Sequence, residues 1–316
     1  MRHFILLTLS AFITTLTFAE EVTLKTKTGN LKGTLEIPTE GKKHPIVIFI
    51  AGSGPTDRDG NNPQVKNDCF KLMSAVLVEN GYATLRFDKR GVAESADAAP
   101  ATEEEMSFDH FVQDVVDWSM WTKKDGRFSQ VIGIGHSQGS LVGMLAANSR
   151  GAFDGYISLC GPADRIHVTL KQQLGQQLEG EALDHVNEKL DSLGNGFRIK
   201  EIPEGLESIF RESIQPFLIS WMKYDPRQEI AKMNIPNLII GGSTDAQVAG
   251  EDAKILGELN DRSEVSVIKN MNHVLRFTKE TSVLMQMEIY SDPELPLHPK
   301  LMKPILSFLE QFKGNN

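Results

Sequence analysis

The chain has 316 residues, with 33 Lys and Arg against 42 Asp and Glu, a formal charge of −9 and 40% hydrophobic residues. That length and balance fit one large globular domain, or one domain with a big insertion. The acidic surface argues against nucleic acid or an anionic membrane as the main partner.

Arg2 and His3 precede an apolar run from Phe4 to Phe18, which gives way at Ala19 to Glu20-Glu21. Residues 1–19 therefore read as a secretory signal peptide cut after Ala19. The run is shorter than the roughly 20 apolar residues that a spanning helix needs. No Cys adjoins the cut to take a lipid. The expectation is an exported protein, periplasmic or secreted, with no stable membrane anchor after cleavage. Loss of Arg2, the one Lys, Arg, Asp or Glu among residues 1–19, takes the charge from −9 to −10.

"EVTLKTKTGNLKGTLEIP" alternates and turns at Thr28-Gly29-Asn30, a hairpin pattern. "PIVIFIAG" is a continuous apolar run of the kind found in strands buried on both faces. Helix-like and strand-like stretches then alternate: "KNDCFKLMSAVLVENG", "YATLRFD", "SFDHFVQDVVDWSMWTKKDG", "QVIGIG", "SLVGMLAANS" and "GYISLCG". Alternation of this kind predicts βαβ crossovers and an α/β fold with a mostly parallel, doubly wound sheet. It breaks over 162–235, where only helix-like stretches occur, and resumes at "PNLIIGG", "EDAKILGELN" and "EVSVIKN", ending on the amphipathic "KLMKPILSFLEQF". Residues 20–161 and 236–316 form the predicted core, and 162–235 a helical lid inserted between two strands. Cys69 and Cys160 are too few for a disulfide framework and are left paired or free; Cys160, after "GYISL", reads as a small core residue.

Between "QVIGIG" and its helix stands Gly135-His136-Ser137-Gln138-Gly139, a G-x-S-x-G sequence. In a strand-to-helix context this is the sharp turn that lifts a nucleophilic Ser above a sheet, with the following helix aiming free N–H groups at an oxyanion. Alone, the same residues also suit a tight turn with a helix-capping Ser. A nucleophilic Ser needs a base, and the base an orienting carboxylate. In this fold the chain order is Ser, then Asp or Glu, then His. Asp245 in "LIIGGSTDAQV" and His273 in "VIKNMNHVLRF" supply it, each just past a strand.

The other histidines compete poorly. His136 adjoins Ser137 and is expected to point away from it, His110 and His185 lie in helical patterns, and His44 and His298 lie near Pro in exposed-looking segments. His167, early in the lid, is kept as a substrate contact. In the loop "AGSGPTDRDGNNP" the backbone N–H of Ser53 is assigned as one oxyanion donor and that of Gln138 as the other. The same loop lacks the Lys-Ser or Lys-Thr of a phosphate-binding loop and the Gly and distal Glu of a calcium loop. In "LRFDKRGVAES", Asp88 and Arg90 are expected to pair or to touch substrate. No His or Cys pair shows metal-ligand spacing, and the chemistry requires no cofactor.

The chain resembles the α/β-hydrolases over nearly all of residues 20–316, in its "AGSGPTDRDGN" loop, "RFDKRG" turn, "GHSQGS" elbow, "GGSTD" acid loop and "NMNHVL" histidine loop. "SIQPFLISWMKYDPRQEIAKMNIP" and "YSDPELPLHPKL" are similar to segments of bacterial exported hydrolases of the serine aminopeptidase-like and acyl-esterase branch. The resemblance implies that Ser137, Asp245 and His273 match the nucleophile, acid and base. Ala51 stands where many relatives carry His before the oxyanion glycine.

The expected activity is serine carboxylesterase chemistry on a small-molecule ester. Phe217 and Trp221, with Phe210, Leu218, Met222 and Tyr224, would line an apolar pocket beneath the lid. The alternative is a serine peptidase acting on short peptides, with Glu179, Glu181, Asp184 and Glu188 binding the substrate amine. A binding module on a dead scaffold would lack a triad member, and none is missing; a dehalogenase would carry Asp in place of Ser137.

Overall fold

The computed structural model describes residues 18–41, 43–149 and 151–314. Most of the expected signal peptide, residues 1–17, lies outside the described residues. Eight strands form one sheet in the order β1-β2-β4-β3-β5-β6-β7-β8. They are β1 (Phe18–Lys25), β2 (Asn30–Ile37), β3 (His44–Ile50), β4 (Ala83–Phe87), β5 (Phe128–His136), β6 (Gly155–Leu159), β7 (Asn237–Gly242) and β8 (Ser263–Ile268). The β1–β2 hairpin is antiparallel, as is its junction with β4; every pair from β4 to β8 is parallel.

The helices are α1 (Cys69–Glu79), α2 (Phe108–Lys123), α3 (Gln138–Asn148), α4 (Ile166–Leu174), α5 (Gly180–Gly194), α6 (Glu207–Phe210), α7 (Gln215–Met222), α8 (Pro226–Lys232), α9 (Gly250–Glu258), α10 (Val283–Tyr290) and α11 (Met302–Leu309). The continuous apolar run of β3 has its physical reason here. Ile46, Ile48 and Ile50 enter one core with residues of α2, α3 and α9, while Val47 and Phe49 enter the opposite core with residues of α1 and α11. Residues two apart on a strand share a face, so a strand covered on both faces is apolar throughout.

α4 to α8 lie between β6 and β7, where the alternation breaks in the sequence. They dock on the core partly through aromatic contact: Phe108 of α2 stacks on Trp221 of α7 at 5.5 Å between centroids. α8 packs against α3 and α9 beside the core. Among the described residues no helix is long and apolar enough to cross a membrane.

Because all strands from β4 to β8 run parallel, their carboxyl ends share one edge. Loops from β3, β4, β5, β7 and β8 therefore converge there, and this is where open α/β sheets bind ligands.

Candidate active site

Ser137 sits between the end of β5 and the start of α3 with φ 54° and ψ −120°, a conformation that a non-glycine residue adopts only when its surroundings enforce it. The enforcement is visible. Its N–H is held by the Leu159 carbonyl at 2.9 Å, and its carbonyl by the Ser140 N–H at 2.9 Å. A Cβ at Gly135 would come within 2.2 Å of the Gly139 carbonyl oxygen, and one at Gly139 within 2.2 Å of the Ile50 oxygen. The two glycines of G-x-S-x-G are thus demanded by close packing, and Ser137 is raised on the turn they permit.

His273, just past β8, places Nδ1 2.8 Å from Asp245 Oδ2, just past β7. Both side chains are almost wholly buried, at 6% and 0% exposure. The other carboxylate oxygen of Asp245 accepts from the backbone N–H groups of Gln247 at 2.8 Å and Val248 at 2.9 Å. Burial pushes the Asp245 carboxyl up, but the attraction of His273 and these hydrogen bonds outweigh it, and the group is held below its ordinary range. An ionised Asp245 fixes Nδ1 as the protonated nitrogen and leaves Nε2 to act as a base. Among the described residues no hydrogen bond joins Ser137 to His273; the two side chains share the wall of one cavity.

Ser137 lies where two cavities meet. One, of about 660 Å³, is floored by Ser137 and Gln138 and walled by Met106, Phe111, Ile166, Phe217, Leu218 and Trp221. The other, of about 140 Å³, is more polar and bounded by Ser53, His136, Gln247, His273 and Tyr290. Ser53 lines both. Its N–H has no hydrogen-bond partner among the described residues, and that of Gln138, the first residue of α3, has no intrahelical acceptor.

Four expectations need correction. Phe217, Leu218 and Trp221 line the large cavity, but Phe210, Met222 and Tyr224 do not. His167 does not line the large cavity. Ile166, Thr169, Leu170 and Gln173 of α4 do; their spacing marks one helix face, and a residue one position along points about a quarter-turn away. The His167 ring packs instead on α5, within 3.1 Å of where a Cβ at Gly194 would stand.

Asp88 and Arg90 do not pair with each other. Asp88 binds Arg58 of the β3–α1 loop, with Oδ2 2.7 Å from Nη2 and Oδ1 2.8 Å from the Arg58 N–H. Arg90 forks onto Asp114 of α2, with Nε 3.0 Å from Oδ2. His44 and His298 are buried rather than exposed, at 6% and 3%.

His136, expected to point away, does leave Ser137 but joins the site. Its ring lies 4.8 Å from that of His273, and Nε2 donates to the His273 carbonyl at 2.8 Å. Burial, then the neighbouring His273, lowers it to about 3, so it is a neutral donor that anchors the backbone of His273.

Cys69 and Cys160 are free and buried. Donor atoms of His136, Cys160 and His273 come within 4.8 Å of one another, a grouping that the linear spacing does not reveal. Burial, then the Asp245 charge, pushes the Cys160 thiol well above its ordinary range, which disfavours the thiolate that a metal ion takes as ligand.

Comparison with known proteins fits this geometry. The family described as serine aminopeptidase, S33, matches residues 68–204, a span that contains Ser137. Esterase EstD of Thermotoga maritima is 27% identical over 258 residues, covering 78% of this chain, which spans 58% of that relative's length. Among solved structures, Est1E of Butyrivibrio proteoclasticus superposes with a TM-score of 0.60 at 17% identity, over 92% of this chain and 98% of its own; it has also been solved with ferulic acid bound. The Pyrococcus furiosus esterase Pf2001 gives a TM-score of 0.59 at 16% identity, over 94% and 92%.

Proposed function

From the premise that this chain is an α/β-hydrolase by fold, we propose that it is a serine carboxylesterase that works through an acyl-enzyme. The observation that carries this reading is the buried Asp245–His273 hydrogen bond at 2.8 Å, set on the sheet edge beside the strained Ser137. His273 Nε2 takes the proton from Ser137 Oγ as the oxygen attacks the ester carbonyl carbon, and the ionised Asp245 stabilises the imidazolium so formed. The oxyanion is met by the N–H groups of Ser53 and Gln138. His273 returns its proton to the leaving alcohol, the acyl group remains on Ser137, and water activated by the same His273 releases it.

The two cavities suggest an orientation. The leaving oxygen must lie within reach of the acid that protonates it, which puts the alcohol in the small cavity beside His273. The acyl or aryl group then occupies the large apolar cavity, covered by α4 and α7 acting as a lid.

A peptidase needs a counter-charge for the substrate amine. Glu179, Glu181, Asp184 and Glu188 are solvent-exposed and line no part of the cavity. Glu103, the carboxylate on its wall, is held by Arg211 at 2.9 Å. The ester reading is tested with p-nitrophenyl esters from acetate to octanoate beside aminoacyl p-nitroanilides, using the protein and its Ser137→Ala variant. Ester turnover lost in the variant supports the reading; turnover of anilides alone replaces it with the peptidase.

A further inference from the structure

Lys89 is buried in the turn after β4, at 6% exposure, and an unpaired ammonium is costly to bury. The charged groups around it are already engaged: Asp88 with Arg58, Arg90 with Asp114. From α2 it meets the face of Phe111, 5.5 Å from Nζ to the ring centroid. Among the described residues it pairs with no carboxylate. Its hydrogen bonds go to two backbone carbonyls, Gly52 at 2.5 Å and Gly54 at 2.6 Å. With no anion to offset burial, the group falls to about 7.

Those two carbonyls bracket Ser53. In a trans peptide the C=O of one residue and the N–H of the next point in opposite directions. An ammonium that fixes the Gly52 oxygen therefore fixes the Ser53 N–H on the far side of the same plane. Gly52 lies against the nucleophile, where an added Cβ would stand 3.2 Å from Ser137 Cβ, and Ser53 shares both cavity walls with Ser137. In its protonated form Lys89 also polarises the peptide and strengthens its N–H as a donor.

We propose that Lys89 is the positioning residue of the oxyanion hole: it clamps the Gly52 and Gly54 carbonyls so that the Ser53 N–H between them is presented to the oxygen of the tetrahedral intermediate. The proposal rests on the esterase reading and on Ser53 as an oxyanion donor.

The test compares Lys89→Met with the unmodified protein on p-nitrophenyl butyrate, and measures the affinity of both for an alkyl trifluoromethyl ketone, which forms an oxyanion on Ser137. The expected result is a kcat lower by roughly 100-fold, the scale for losing one oxyanion donor, with KM within about threefold. Ketone affinity falls by the same factor and the melting temperature is unchanged or higher. A purely structural lysine would give the opposite pattern, a lower melting temperature with kcat kept in the folded fraction. Lys89→Gln, which retains an N–H donor, is expected to recover part of kcat, and it carries the test if the Met variant does not fold. A kcat and ketone affinity within twofold of the parent in either folded variant would overturn the proposal, while Ser137→Ala remaining inactive would leave the esterase reading intact. An active Ser137→Ala would overturn that reading first.

Discussion

The loops at the carboxyl edge of the sheet and the helices between β6 and β7 both bound the site, but they are held by different forces. The edge loops are tied by directional bonds: Asp245 to His273, His136 to the His273 carbonyl, Arg58 to Asp88, Lys89 to Gly52. The inserted helices meet the site through Ile166, Phe217, Leu218 and Trp221, apolar side chains packed into one core. Hydrogen bonds fix atoms to fractions of an ångström, as proton transfer requires. Apolar packing fixes shape and volume. Changes at the edge should therefore alter the rate for every substrate, and changes in the insertion should alter which substrate is preferred.

The largest effects belong to the edge. Ser137→Ala is expected to lower kcat on the order of 10⁶-fold for every ester chain length, measured by p-nitrophenol release. Asp245→Asn should lower it about 10⁴-fold by stabilising the wrong tautomer of His273, again equally for short and long esters. A loss confined to long esters would break the division between the two regions.

Lys89 comes next, and it separates stability from activity within the edge. Its ordinary value of 10.5 falls to about 7 in the folded chain, so between those values the unfolded chain binds more protons. The destabilisation is complete below pH 7 and fades as pH rises toward 10. Lys89→Met should accordingly melt above the parent at pH 6 to 7, the gap narrowing by pH 10 in calorimetric scans, although its turnover is poorer. A variant less stable than its parent at pH 7 contradicts that sign.

Smaller effects belong to the insertion. Trp221→Ala should reduce the octanoate-to-acetate ratio of kcat/KM about tenfold, as lost apolar contact in a pocket does, and leave acetate turnover within a few-fold. His167→Ala should leave that ratio within twofold, since the ring faces α5. A large change there would restore His167 as a substrate contact.

The same division explains what was legible in the sequence. The sheet, the elbow and the order Ser137, Asp245, His273 are written locally: β-branched runs end in loops, and strained turns need glycine. Asp245 and His273 are hydrogen-bonded in the fold. Of the two roles expected for Asp88 and Arg90, pairing failed because their true partners, Arg58 and Asp114, come from a loop and a helix 30 and 24 residues away with no local signal, while Arg90 does line the large cavity. His167 failed for a one-position error of helix phase. His44 looked exposed beside Pro45 but begins β3, with Nδ1 3.1 Å from the Gly81 carbonyl. Lys89 and His136 were missed because their roles lie in what they touch across the fold; "DKRG" names a lysine without showing that it has no acid to pair with.

The most direct test is to quench the protein within seconds of mixing with p-nitrophenyl butyrate, digest it, and map the acyl adduct by mass spectrometry. The account predicts a butyryl group on Ser137, accumulating further in Asp245→Asn if deacylation is the slower step there and absent from Ser137→Ala. Ester turnover with the adduct on another residue, or turnover that persists in Ser137→Ala, would contradict it.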